Sequence, residues 1–174
     1  TRDGWWRAHP FSISSAPNGT WLRITIKDLG DWSRALQEVR VGTRVFIEGP
    51  YGVLTGARRT RRRVLLIAGG IGITPLRSLL EALPGKPGDL TLLYRVRSER
   101  DIVFREELDE LARIRGADVR YLSGHRAPGP SIDSLGPAGR GALVPDRRKR
   151  DVYDVGQGPV LPHVVGSVRR PGMR

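Results

Sequence analysis

The sequence predicts a mixed β plus α/β fold: an antiparallel β region over residues 1–54, then a parallel sheet with flanking helices over residues 64–174. Three observations carry this. Trp21 to Lys27 alternates, with Leu22, Ile24 and Ile26 on one face and Arg23, Thr25 and Lys27 on the other, the period of a half-buried strand. Val64 to Ala68 is an unbroken apolar run, as expected of a strand covered on both faces. From Arg63 onward strand-like and helix-like stretches alternate with short turns, the texture of parallel βαβ units.

In chain order, Phe11 to Ser15 reads as a strand, Trp21 to Lys27 as a second, and Asp31 as the cap of a short helix running to about Val39. Val41 to Glu48 returns as a strand and stops at the turn cluster Gly49-Pro50-Tyr51-Gly52. Residues 55–63 form a basic linker. Beyond it, the strand Val64–Ala68 runs into Gly69, Gly70 and Gly72, then Thr74-Pro75, before a helix over Pro75–Leu83 with Leu76, Leu79, Leu80 and Leu83 at helical spacing. Thr74 suits the N-cap and Pro75 the first helical position, where a missing N–H costs nothing. Leu90–Val96 is the next strand, Ile102–Ile114 an amphipathic helix closed by Gly116, and Asp118–Leu122 a further strand. Residues 124–145 are rich in glycine and proline and suggest no helix. Asp151–Val155 reads as a strand and Leu161–Arg169 as a weakly patterned helix.

Strand, glycine turn and helix start together offer backbone amides and a helix dipole to a phosphate. A tight βα turn without a ligand needs only one glycine, so three in four positions favour the phosphate, although the G-x-G-x-x-G fingerprint is absent.

Composition limits the other classes of function. The absence of cysteine removes disulfides, thiolate metal sites and a cysteine nucleophile. His9, His125 and His163 are too scattered to suggest a histidine metal site. No apolar run approaches the ~20 residues of a membrane span, and no signal-peptide pattern opens the chain. The net charge of +12 raises the question of nucleic acid. The cations are nearly all arginine, which fits coding bias in a GC-rich genome as well as selection for a polyanion. The runs Arg58-Arg59-Thr60-Arg61-Arg62-Arg63 and Arg147-Arg148-Lys149-Arg150 read as solvated loops with few aromatics among them, so nucleic acid is the weaker expectation.

A second constellation lies about sixty residues before the glycine turn: His9-Pro10-Phe11-Ser12. With Gly30-Asp31-Trp32-Ser33-Arg34-Ala35-Leu36, Gly49–Gly52 and Ala68–Pro75, in that order, the chain resembles the ferredoxin–NADP reductase superfamily, and within it the dehydrogenase portion of ferric reductases and NADPH oxidases. The resemblance covers residues 7 to about 122, and 151 to 156 in outline. It implies an incomplete antiparallel FAD-binding β-barrel over residues 1–54 and a Rossmann-like NAD(P)-binding domain over 64–174 with an atypical C-terminal tail.

The implied activity is a flavin-dependent oxidoreductase module passing hydride from NAD(P)H to FAD and electrons onward to a haem, a ferric chelate, dioxygen or a partner redox protein. Phe11 and Ser12 take the catalytic places, an aromatic face for the isoalloxazine and a hydroxyl toward its N5. His9, Pro10, Gly30, Trp32 and Ser33 join them as FAD-binding residues, with His9 at the pyrophosphate or flanking the ring. Gly69, Gly70, Gly72, Thr74 and Gly156 would hold the nicotinamide dinucleotide. Arg95 and Arg97 stand at the next strand end, where arginine accommodates a 2′-phosphate, so NADP is expected over NAD. The reaction would belong to the cofactors, with no acid–base triad.

Two departures from the family pattern stand out. Asp151-Val-Tyr-Asp-Val-Gly-Gln157 keeps the last strand and Gly156 but places Val155 where the family has cysteine. Only eight residues precede His9, too few for the opening strands of a flavin barrel. The sequence thus reads either as part of a larger reductase whose upstream portion would hold the missing strands and transmembrane haem helices, or as a vestigial dinucleotide-binding domain without activity. The implied location is cytoplasmic, including the cytoplasmic face of a membrane protein.

Overall fold

The computed structural model describes residues 9–124 and 143–156; the expected helix at 161–169 lies outside them. A four-stranded parallel sheet organises the second part of the chain: β1 (Val64–Gly69), β2 (Leu90–Val96), β3 (Asp118–Ser123) and β4 (Asp151–Val155), in the order β3-β2-β1-β4. The chain steps outward from β1 to β3 and then returns to the other side of β1. The strand order therefore reverses between β1 and β4, the place where open α/β sheets bind ligands at their carboxyl edge.

Before the sheet comes a short helix, α1 (Asp31–Ala35), extended by a 3₁₀ turn over Leu36–Glu38. Two longer helices follow, α2 (Ile73–Ala82) after β1 and α3 (Arg105–Arg115) after β2. Both helices lie on one face of the sheet. There Leu76, Leu80 and Leu108 pack on Val64, Leu66, Ala68, Leu92, Tyr94 and Tyr153, all almost wholly buried. On the opposite face Leu65, Ile67 and Leu93 meet Val144 and the half-buried Leu122, Leu143 and Val152. β1 is thus covered on both sides, which is why its sequence is apolar without alternation.

The start of α3 differs from the expectation. Ser98 and Asp101 form a reciprocal capping box around a 3₁₀ turn at Glu99–Asp101, which consumes the residues ahead of the helix. Phe104 then adopts a left-handed conformation (φ 63°), and α3 begins only at Arg105. Gly116 closes it as foreseen, in the left-handed conformation (φ 58°).

The predicted strands of the first part do not form ladders. Phe11–Ser15 and Trp21–Lys27 meet at a single antiparallel bridge, Ile13 with Ile24, and one adjoining bond from Ser14 N–H to the Arg23 carbonyl (2.7 Å). Val41 and Gly42 instead form a turn closed by Thr43 N–H on the Arg40 carbonyl (3.1 Å), and residues 43–48 have no strand partner among the described residues, with Phe46 92% and Ile47 71% exposed. A strand is held by a hydrogen-bonded neighbour and a face to bury. Among the described residues neither is supplied to residues 43–48, and the other two segments share only the one bridge.

The basic segment 55–63 is no loose linker. Asp151, buried at the start of β4, accepts the N–H groups of Thr60 (2.5 Å) and Arg61 (2.6 Å) and the Thr60 hydroxyl (2.9 Å). Parallel pairing of β1 with β4 brings the two arginine runs together at the amino edge of the sheet. There Arg59 donates to the Pro84 and Arg62 carbonyls, Arg61 to that of Arg148, and Arg63 pairs with Asp146 (2.7 Å). Arg59 and Arg61 thus bind backbone carbonyls around the strand starts, while Arg62, Arg63 and Arg150 pair with Asp89 and Asp146.

Candidate functional site

The glycine turn forms where the sequence placed it. β1 ends at Gly69, a 3₁₀ turn covers Gly70–Gly72, and α2 follows directly. Because that turn leads into the helix, Thr74 is not the N-cap: it is the second residue of α2, buried, and its hydroxyl donates to the Ile71 carbonyl (3.0 Å). Pro75 is third, still within the first turn, where no intrahelical N–H bond is lost. Thr74 therefore fastens the turn from inside.

The glycines divide by role. Gly70 has φ 54° and a Cβ there would meet nothing within 4 Å, so the backbone turns left-handed beside open space. Gly72 is tight against β4: a Cβ would lie 2.8 Å from the Val155 carbonyl carbon, 2.9 Å from its Cγ1 and closer still to its oxygen. It permits the helix start to approach the sheet, a packing role the sequence did not separate from ligand contact. Gly156, just past β4, sits beside Gly69, its Cβ position 3.9 Å from the Gly69 Cα. Arg95 is the ladder partner of Gly69 on β2, half-buried and engaged within the protein. Arg97 lies one residue beyond β2 and is exposed. Gly69, Gly156, Arg95 and Arg97 thus gather at the carboxyl ends of three neighbouring strands, around the switch point.

The first constellation also comes together. Trp32 on α1 stacks on His9 (ring centroids 3.5 Å, planes at 24°) and on Phe11 (5.8 Å, 19°). Pro10 and Ser12 lie exposed on the same short stretch as His9 and Phe11. Gly30, with φ 145°, opens α1, and its carbonyl accepts from Arg34 N–H (3.0 Å) and the Ser33 hydroxyl (2.8 Å). Ser33 Oγ also accepts Leu29 N–H (2.8 Å), so its proton is committed to the turn.

The sequence did not reveal the contact between the two halves. Ser14 and Ser15, two and three residues after Ser12, are buried and bonded to α2. The Ser14 carbonyl accepts Arg77 Nη1 (3.1 Å) and Arg23 Nη2 (2.8 Å), the Ser15 carbonyl accepts the Ser78 hydroxyl (2.8 Å), and Ala16 N–H donates to Glu81 (2.7 Å). Arg23 reaches Glu107 on α3 with both terminal nitrogens (3.1 and 2.9 Å), and Arg77 Nε reaches the same carboxylate (2.9 Å). The Arg23 fork, together with Arg77, holds the Glu107 carboxyl below the usual carboxylate range. Burial pushes Glu81 upward, but the Ala16 amide and the Arg77 guanidinium outweigh it and leave that group lowered too. The spacing of Arg77 and Glu81, four apart on one helix, was a local signal; the pairing of Arg23 with a residue 84 positions away had none.

The chain thus combines a strand-order reversal lined by glycines with an aromatic stack that lies just ahead of the segment bonded to α2. The chain belongs to the ferredoxin–NADP reductase superfamily. The FAD-binding domain family matches residues 2–55 and the oxidoreductase NAD-binding domain family residues 66–135. The chain is 37% identical over 127 residues to "Ferredoxin--NADP reductase B" of Sorangium cellulosum, covering 70% of this chain and 51% of that protein. It is 36% identical over 107 residues to "NADH-cytochrome b5 reductase 1" of Lodderomyces elongisporus, covering 60% and 36%. It thus spans about half of the length of the first relative and about a third of the second. Among solved structures, a mutant ferredoxin–NADP+ reductase from Plasmodium falciparum in complex with 2'P-AMP shares the fold, with a TM-score of 0.62 at 17% identity over 86% of this chain and 67% of that one. Among the described residues, no helix is long and apolar enough to cross a membrane, and no group of three or more His, Asp or Glu could hold a metal.

Proposed function

We propose that this chain is the cofactor-juxtaposing part of an NAD(P)H-dependent flavin oxidoreductase. One observation carries the reading. The segment after Phe11 and Ser12 is bonded to α2, the helix into which the glycine turn leads, so the flavin-side and nicotinamide-side residues share one scaffold.

The residues fit both groups. The open space at Gly70 admits a phosphate against the backbone amides of a helix start, while the exposed rings of His9, Phe11 and Trp32 offer flat faces to an isoalloxazine or adenine ring. Bound together, NAD(P)H and FAD supply hydride transfer and onward single-electron chemistry. The chain's own residues bind and orient. Gly69, Gly70 and Gly156 leave room at the sheet edge, Gly72 and Thr74 hold the turn that presents the amides, and Trp32 covers Phe11. Arg97, exposed beyond β2, is placed for a 2′-phosphate and supports NADP over NAD. A haem, a ferric chelate, dioxygen or a partner redox protein would take the electrons, in a protein whose remaining length would include an upstream haem-bearing membrane domain in the ferric reductase-like arrangement. The chain would then lie in the cytoplasm or on the cytoplasmic face of that membrane. The role of the arginines as backbone caps speaks against nucleic acid as the partner.

The test is anaerobic mixing of the chain with FAD and NADPH. Loss of the oxidised flavin absorbance faster than without protein is expected. Because residues 41–53 are so exposed, FAD should be lost on desalting and must be added. No acceleration at saturating FAD would overturn the reading, and stoichiometric flavin retained after desalting would overturn the expectation of weak binding.

A further inference from the structure

We propose that Glu107 is a positioning residue. It ties Arg23 of the flavin-side segment to Arg77 of the nicotinamide-side helix and so sets where Phe11 and Ser12 stand relative to the glycine turn. The proposal rests on the reading of those two residues as the flavin side.

The geometry is specific. Glu107 receives both terminal nitrogens of Arg23, the forked arrangement that fixes orientation as well as distance. Its Oε2 is shared with Arg77 Nε, and Arg77 is 7% exposed. A guanidinium that deep must be satisfied, and its partners come from three places: Glu107 on α3, Glu81 on α2 itself and the Ser14 carbonyl of the first segment. Arg23 in turn lies over the Phe104 ring, 5.0 Å from its centroid. Phe104 is the sole non-glycine residue with positive φ among the described residues, a strained conformation that persists only where its surroundings fix it.

Apolar packing does little to hold this segment. Leu22 and Ile24, either side of Arg23, are 57% and 46% exposed, and its pairing with Phe11–Ser15 is one bridge. Its placement therefore depends on the charged cluster Arg23, Glu107, Arg77 and Glu81.

Spin-label distance measurement reads that placement directly and needs no cofactor. The chain lacks cysteine, so exposed Lys27→Cys on the first segment and Ala82→Cys at the end of α2 give two unique labels. A narrow distance distribution is expected, broadening in Glu107→Gln while the helical circular dichroism stays unchanged. Amide exchange at Ala16, whose N–H is held by Glu81, should rise about tenfold in that variant. Arg23→Lys, which keeps the charge but loses the fork, should fall between the two. A distribution that stays narrow in Glu107→Gln overturns the proposal. So does loss of the α/β fold in both variants, since the cluster would then be a general stability contact. Failure of the flavin-reduction assay alone would instead overturn the proposed function and leave these distances as they are.

Discussion

Gly72→Ala sets two physical effects against each other. Gly72 has helix-like angles (φ −60°, ψ −9°) at the threshold of α2. Loss of unfolded-chain entropy alone therefore predicts that alanine, which adopts these angles without strain, stabilises by about 0.4–1 kcal/mol. Packing predicts the reverse. The new Cβ would stand 2.8 Å from the Val155 carbonyl carbon and 2.9 Å from its Cγ1, roughly 0.6–0.7 Å inside an optimal ~3.5 Å carbon contact. The Val155 carbonyl belongs to β4, which is hydrogen-bonded to β1 and cannot swing aside as a side-chain tip could. Overpacking of this kind costs about 1–3 kcal/mol and sometimes more, so the net expectation is a loss of about 2 kcal/mol. In a domain of this size that lowers the melting temperature by about 4–8 °C. Gly70→Ala is the control. It meets no neighbour but must hold φ 54°, at about 1–2 kcal/mol, and its methyl enters the space assigned to phosphate, so it should weaken NADP+ binding more than stability. Thermal unfolding by circular dichroism, with and without NADP+, measures both. A Gly72→Ala protein as stable as the parent would refute the close approach of helix and strand.

Three further outcomes are expected. Asp151→Asn puts an amide nitrogen against donors that now face a carboxylate, the Thr60 and Arg61 N–H groups and the Thr60 hydroxyl; it should cost about 2–3 kcal/mol in urea unfolding, and an unchanged midpoint would refute the capping role. Glu107 and Glu81, both lowered and facing Arg23, Arg77 and the Ala16 amide, make the docking acid-labile. Carboxyls lowered in the folded state contribute fully above the unfolded value of about 4.3, and the contribution is lost as pH falls through the folded value. The Lys27–Ala82 label distribution should accordingly stay narrow at neutral pH and broaden as pH drops from about 5 to about 3; persistence of the narrow distribution would count against the network. Arg97→Gln should weaken NADP+ binding about tenfold and leave NAD+ unchanged, since only the former carries the 2′-phosphate. Equal losses for both dinucleotides in calorimetric titration would remove Arg97 from selectivity.

The parallel sheet was legible because each of its strands is a local fact. Val64–Ala68 is covered on both faces and so is apolar without a break, Leu90–Val96 is mostly apolar and buried along all but Arg95, and Gly116 marks the end of α3 by a backbone conformation few other residues adopt. The glycine turn and the His9–Ser12 motif were legible for the same reason. What was misread depends on distant neighbours. Trp21–Lys27 alternates like a strand, yet its partner provides one bridge. Thr74 looks like a cap, yet the 3₁₀ turn before it moved the helix start. Gly72 offers its backbone to a ligand in the sequence, and its packing against β4 comes from more than eighty positions away.

Sequence by itself determined the family and the βαβ order, since these follow from local periodicity, glycine conformation and motif order. Tertiary structure alone decided that the β1–β4 reversal gathers Gly69, Gly156, Arg95 and Arg97 at one edge. It also decided that Arg23, Arg77 and Glu107 join the two halves. Such contacts depend on chain closure over tens of residues, where the energy lies in burial and charge pairing rather than in any spacing along the chain.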